Sequence, residues 1–530
     1  MNLIGIRLLI LVVEFLTDNI KISQVQPFFS CQDGILNGQE VAIDCGGPSC
    51  PSCFESCLVN WNGINSIDIN SIENCKVIHN NTLIVGCSKQ SDCGISIWNG
   101  SNWNFIGTGY QGGIIYGIDF YEPSNFIASG LFFNAGGISG ANCVAIWNGT
   151  NWVALDQGID GIVVAVKYFN GNIYAGGGFE DIYGNPNLDN IAKWNGSSWL
   201  PLGSGISGIV EDIEELNGDI YVGGTFSNAG GVGNTANIAK WNGIIWSPLG
   251  QGLNNTVTDL TIVNGELYVS GNFTDAGGNI NADRIAKWDG NNWINIGTGI
   301  AAGNGVIYGM VDFRGYLYVT GNFSSIGGNN NAKKNAYWNG SQWNPTVSNS
   351  QIDIFNGYGA TINFIGGDMY VGGGFTINQG GPFGNNIAFW RNKNLVMTNY
   401  DSLPGSLRYE SQCAAVNDTI KFHNTLVSDT ILISSGPLII NTNQKIISNY
   451  PDIINIDCIG SDYTFINQSS DLLFQNITII SCGNANGLAI LNNGYLTLNN
   501  VMINKKQITL SHILVENNGT LKIEGSTIIK

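Results

Sequence analysis

The chain has 530 residues, of which 43% are hydrophobic and only 11% charged, and its formal net charge is −18. That length allows two or three domains, and the acidic balance, with no basic stripe, argues against nucleic acid or an anionic membrane surface as partner. The 72 glycines, with abundant Asn, Ser and Thr, point to strands and turns rather than helices.

At the N-terminus one cation, Arg7, precedes an apolar run from Leu8 to Leu16. This pattern predicts a secretory signal over residues 1–24, cleaved near Ser23 or Gln24, although Glu14 interrupts the run. The run is too short to span a bilayer, which takes about 20 apolar residues. No later segment is long enough to serve as a span.

Residues 25–57 are dense in cysteine. Of the twelve cysteines in the chain, eight lie early: Cys31, Cys45, Cys50, Cys53, Cys57, Cys75, Cys87 and Cys93. So short a stretch cannot stabilise itself by core burial, so these eight are candidates for disulfides in a stapled module. A zinc site through Cys50 and Cys53 is the alternative. An EF-hand reading of Asp33, Asn37, Gly38 and Asp44 fails, because Ile35 stands where an oxygen ligand is needed and no helices flank the loop. The stretch resembles a short Cys-Asp-Gly element of many extracellular proteins, which bears on location and not on chemistry.

From residue 58 to 400 the chain repeats itself. One phrase, "NIAKWNGSSW" in its clearest form, places tryptophans at 61, 98, 147, 194, 241, 288, 338 and 390, at intervals of 37 to 52 residues, which delimits seven units. A second tryptophan follows five residues later in six of them, giving the pairs Trp98 and Trp103, Trp147 and Trp152, Trp194 and Trp199, Trp241 and Trp246, Trp288 and Trp293, and Trp338 and Trp343. Between pairs comes a second phrase, such as "IYVGGTF" at Ile220 or "LYVSGNF" at Leu267, mostly preceded by an Asn-Gly such as Asn217-Gly218 or Asn264-Gly265.

β-Branched and aromatic runs bounded by Asn-Gly predict hairpins. In the tryptophan phrase the Asn-Gly is expected to be a two-residue turn with both residues at positive φ. About four strands per unit of 40–50 residues predicts a seven-bladed β-propeller. The tryptophans are expected to wedge between blades, each burial contributing roughly 4–6 kcal/mol as an upper bound. A ring of exposed sugar-stacking platforms is the sharper alternative, and it would not require every unit to keep its pair.

These repeats resemble kelch and galactose-oxidase-like propellers, and more closely the propeller of a fungal cortical cell-polarity marker family. That resemblance implies a ring of blades and is silent about ligand.

Residues 401–530 carry a weaker period. Strand-like phrases begin at Asp471, Tyr495 and Thr520, two of them introduced by "NNG". Short strands one coil apart predict a parallel β-helix. The opening, Gly405-Ser-Leu-Arg408 followed by Asn417-Asp-Thr-Ile, resembles the first coil of right-handed β-helices of the pectin-lyase type. That family's catalytic equipment does not carry over: Arg408 belongs to the opening motif, and Asp452, Asp457 and Asp462 are scattered. Lys530 directly follows a strand, which suggests a longer parent with more coils or an anchor.

Chemistry is sparse. The three histidines, His79, His423 and His512, are too few and too dispersed for a copper-radical site or a hydrolytic triad. Glu211, Asp212, Glu214 and Glu215 read as a solvated face. No catalytic, cofactor-binding or metal-ligating residue is assigned. Among the sequons, Asn99, Asn148, Asn195 and Asn339 are glycosylation candidates at hairpin tips, whereas Asn272 and Asn322 are expected inside core strands.

The sequence therefore predicts an all-β extracellular or cell-surface glycoprotein: a disulfide module, a seven-bladed propeller and part of a β-helix. Its expected function is recognition of glycan or extracellular protein in adhesion. The alternative is a polysaccharide-active enzyme using the β-helix. Neither reading invokes a cofactor.

Overall fold

The computed structural model describes residues within 62–528, almost continuously from 125 to 346 and in segments elsewhere. The expected signal, Cys31 to Cys57, Cys93, His79, His512, Asn99, Asp452 and Asp462 lie outside the described residues.

Six blades are built each from four consecutive antiparallel strands. Blade 1 covers 72–105, blade 2 covers 114–154, blade 3 covers 161–201, blade 4 covers 206–247, blade 5 covers 257–295 and blade 6 covers 305–345. Their innermost strands are Ile72–Ile78, Ile114–Phe120, Gly161–Phe169, Ile206–Leu216, Val257–Val263 and Gly305–Phe313. Each packs beside the next, and Gly305–Phe313 packs against Phe355–Ile365, which in turn packs against Ile72–Ile78. The strands thus run in a circle.

The count of seven like units needs correcting. Six blades are contiguous, and a further sheet is composite: the short strand Asn62–Gly63 pairs with Ile387–Trp390, beside Asp368–Ile377 and Phe355–Ile365. The phrase at Trp61 therefore heads no blade. The cause lies at residue 395, where the second tryptophan of the final phrase should stand. Leucine is there instead, and Leu395–Val396 turns away to pair with Asp418–Phe422. The vacated edge is filled from the other end of the chain.

Each blade holds two kinds of hairpin. In blades 3 to 6 the first and second strands are joined by a true two-residue turn with both residues at positive φ, Asn170-Gly171, Asn217-Gly218, Asn264-Gly265 and Arg314-Gly315, whereas in blade 2 Phe120 pairs with Phe126 across a longer loop. The tryptophan hairpins are different, and here the expectation fails. The two tryptophans pair directly, as Trp194 with Trp199, and leave a four-residue loop. Only its glycine has positive φ. Asn195 Oδ1 instead accepts hydrogen bonds from the Ser197 N–H (2.9 Å), the Ser197 hydroxyl (3.0 Å) and the Ser198 N–H (2.9 Å). Asn148, Asn242, Asp289 and Asn339 accept from their own loops in the same manner. A side-chain acceptor thus does what a second positive φ would otherwise do.

Paired indoles lie 5.1–5.5 Å apart, tilted, in blades 2 to 6. The second of each pair is buried. Trp246 Nε1 donates to the Leu202 carbonyl of the preceding blade at 2.8 Å, Trp293 to Leu249 at 3.1 Å, and Trp343 to Ile296 at 3.1 Å. One indole edge rests on its own blade: a Cβ added at Gly230 would stand 2.5 Å from Trp246 Cδ1. For Trp98 and Trp103 the structure gives their strand pairing alone.

The C-terminal part is a β-solenoid of three parallel sheets. Leu472 pairs with Leu496 and Leu496 with Leu521, as the period predicted. Its interior is a continuous core of Ile, Leu and Phe. An amide ladder runs along it: Asn467 Nδ2 donates to Asn492 Oδ1 at 2.7 Å, and Asn492 Nδ2 to Asn517 Oδ1 at 2.6 Å. Buried Arg408 donates to Asp401 at 2.9 Å near the start of the solenoid. Cys458 is disulfide-bonded, Cys143 is a free buried thiol, and Cys75 and Cys87 lie on the first two strands of blade 1.

Candidate functional site at the channel mouth

All six fully described innermost-strand pairings from blade 2 onward break register at the same place, by one extra residue. The extra residues are Tyr116, Val164, Glu211, Thr258, Tyr308 and Ala360. A bulge re-aims a side chain, and all six remain at least partly exposed, whereas the residues just before them, such as Val163, Val210, Val257 and Ile307, are fully buried. The bulges therefore set a ring of side chains at one level of the channel.

Two residues further toward the strand starts lie Ile162 and Ile209, and at the corresponding place on the composite sheet Tyr358, all exposed. Ile209 of blade 4 leans over Gly178 of blade 3, 3.6 Å from where a Cβ would sit. Tyr358 lies across Gly374 of its own sheet, where a Cβ would come within 2.9 Å of the ring. Tyr308 and Tyr358, from neighbouring sheets, have ring centroids 5.4 Å apart. The strand starts share a face with the loops between second and third strands, since Gly161 pairs with Phe179 at that end. On those loops Phe133, Ile138 and Tyr183 are also exposed. Exposed apolar side chains of blades 2, 3 and 4 and the two tyrosines thus lie on the face where the innermost strands begin.

The acidic run of blade 4 is not a plain solvated face. Asp212 accepts the Leu260 N–H of blade 5 at 2.8 Å. Asp119 of blade 2 and Asp259 of blade 5 do the same for Tyr168 and Met310 of their following blades. Glu214 pairs with Lys167 of blade 3 at 2.6 Å. Burial opposes the charge on Lys167, yet Glu214 and Asp119 outweigh it and hold the ammonium above its ordinary range. Glu215 accepts the Gly218 N–H at 2.7 Å. Glu211 stands in the ring of bulge residues, and burial, then the neighbouring charge of Asp212, push its carboxyl above the usual range. Sequence reasoning missed this division of labour because it cannot see a bulge that displaces one member of an alternating run.

The other residues singled out from sequence disperse. Asn148 and Asn195 are exposed at tips and Asn339 is half-buried at its own. Asn322 lies within the strand Tyr316–Phe323 as expected, Asn272 just past Glu266–Gly271, and both side chains are exposed. Asp457 Oδ1 accepts the Cys458 N–H at 2.7 Å on the solenoid. His423 sits where solenoid meets propeller, its ring 5.5 Å from Tyr316, beside an Arg314–Asp429 ion pair of 3.7 Å. Among the described residues no group of three or more His, Cys, Asp or Glu could hold a metal ion, and no helix is long and apolar enough to cross a membrane.

No protein-family model matches the chain, and no curated protein matches it. Among solved structures it is similar to the extracellular domain of a B. thetaiotaomicron protein described as a one component system, at 10% identity and a TM-score of 0.43. That alignment covers 63% of this chain and 40% of the other, so the chain spans about two fifths of that relative's length. It is also similar to YCF48 bound to D1 peptide (12% identity, TM-score 0.41, 63% of this chain and 96% of that one). The WD40 propeller domain of Doa1 matches at 12% identity and a TM-score of 0.39, over 63% of this chain and 97% of that one.

Proposed function

We propose that the protein is an extracellular recognition module that binds a polypeptide ligand at the mouth of the propeller channel. One observation carries this reading: the exposed Ile162, Ile209, Tyr308 and Tyr358 all stand toward the starts of innermost strands, Tyr308 and Tyr358 in ring contact, and Phe133, Ile138 and Tyr183 are exposed on loops of the same face in blades 2 and 3. Exposed apolar side chains grouped on one face mark an interaction site, whereas the same residues scattered singly would not. Aliphatic groups among tyrosines suit a peptide better than a sugar, whose hydroxyls need convergent polar partners. A kelch-like ring and a right-handed, pectin-lyase-like solenoid are the finer fold assignments consistent with this reading. The solenoid then serves as a spacer or second surface.

The test is selection of random nonapeptides on the immobilised full chain, with a glycan array in parallel. Selected peptides are expected to protect the strand starts near 206–212 and 305–310 from hydrogen exchange, and to lose binding to Ile209→Asp/Tyr358→Ala. Binding only on the glycan array, or peptides indifferent to that double substitution, would overturn the proposal.

A further inference from the structure

Resting on that reading, we infer that the mouth selects a cationic side chain, a lysine or arginine flanked by apolar residues, with Glu211 as the specificity-determining group. Glu211 and Tyr308 occupy the same bulge position on innermost strands separated by a single blade, and between them Thr258 supplies a hydroxyl that is already committed to the Ile307 carbonyl at 2.8 Å. Tyr116 and Tyr308 belong to the same ring of bulge residues, and Tyr358 rests against Tyr308 one step toward solvent. A carboxylate set in the same ring of bulge residues as tyrosines is a combination that attracts a desolvated cation, through direct charge and through the ring quadrupoles.

The neighbouring acids do not share this role. Asp212, Glu214 and Glu215 each hold a named donor of the protein itself, an amide of blade 5, the ammonium of Lys167 and the amide of Gly218. Glu211 is the member of the run set at the bulge. The chain as a whole carries −18, so a cationic ligand is also favoured on approach. An acidic or uncharged polar peptide would leave Glu211 desolvated against nothing, a cost that discriminates against it.

The experiment uses the full chain and the nonapeptides selected above. The sequences are expected to be enriched in Lys or Arg at one position between apolar residues. Glu211→Gln is expected to weaken their binding about tenfold, the loss of one charge-assisted contact. Replacing the peptide's cation by norleucine is expected to produce a similar loss on the natural chain and little further loss on Glu211→Gln. Near-UV circular dichroism and melting temperature report whether Glu211→Gln remains folded, and Glu211→Asp, which keeps the charge, guards against a packing effect by retaining the preference. Peptides without an enriched cation, or with affinity unchanged in Glu211→Gln but lost in Ile209→Asp/Tyr358→Ala, would overturn the cation inference and leave the mouth reading standing. If no peptide is enriched, both fall.

Discussion

Asn190 shows how much one side chain can hold. Its φ is +60°, a left-handed conformation that asparagine tolerates better than most residues. From there Oδ1 accepts the Phe179 N–H at 3.1 Å and Nδ2 donates to the Ile206 carbonyl of the next blade at 2.8 Å. Asn237 repeats the arrangement toward Phe226 and Leu253, and Arg284 donates to Gly305 of its next blade. The "N" of the repeated phrase is therefore a strut between blades, not the turn residue it resembles. Asn190→Ala is expected to lower unfolding stability by about 2–3 kcal/mol in urea titration, through left-handed strain and two lost bonds, and Asn190→Gly by less. Gly230→Ala, with φ +59° and Trp246 in the way, should cost about 1–3 kcal/mol in the same assay. His423 supplies the pH dependence. Burial, then the charge of Arg314, pull its imidazole down to about 4. The unfolded chain takes up that proton near the ordinary value of about 6.5, so the folded state loses stability as pH falls from there toward 4. Melting temperatures followed across that window should show a fall that His423→Gln reduces.

Among the elements, the hairpins mark what the sequence could and could not disclose. Asn-Gly announces a turn in both hairpins of a blade, and both turns are there. Which kind each would be depends on loop length, and that is set by the direct pairing of the two tryptophans, a tertiary preference invisible to local propensity. The bulges were illegible for the same reason: nothing in "VEDIEEL" says which acid will be the extra residue. Hence the strands, their order and the solenoid period could be read from the sequence, whereas the ring of bulge residues, and with it the mouth, could not. The tip geometry has a chemical outcome. At Asn195 the side-chain oxygen is occupied by three donors, which turns the amide nitrogen outward. Expression through a eukaryotic secretory host should yield glycan on Asn148 and Asn195, seen by mass spectrometry and lost in Asn→Gln variants, with no more than about 0.5 kcal/mol change in stability.

At the level of the whole molecule, only residues 391–394 separate the last strand of the ring from the first of the solenoid. Ile387–Trp390 belongs to the composite sheet and Leu395–Val396 already to the solenoid. The step is readable in retrospect: of the two tryptophan phrases without a second tryptophan, those at Trp61 and Trp390, it is the later one. The filling of the vacated edge by Asn62–Gly63 is not, because two residues carry no periodic signal. Proline at both positions, unable to donate to Phe389 or Ala388, should open that seam and lower the melting temperature by several degrees, while Gly63→Ala should be mild.

That seam also dictates a schedule. Asn62 must wait for Phe389, and at 5–20 residues per second a ribosome needs roughly 15 to 65 s to make the intervening chain. Throughout that interval the nascent blades can zip up one after another, each from local contacts, but the circle stays ajar with a raw edge at either side. Completion is thus the last and least local event in assembling the ring, and the one at which a chaperone, or a stray strand from a neighbouring copy, has its opportunity.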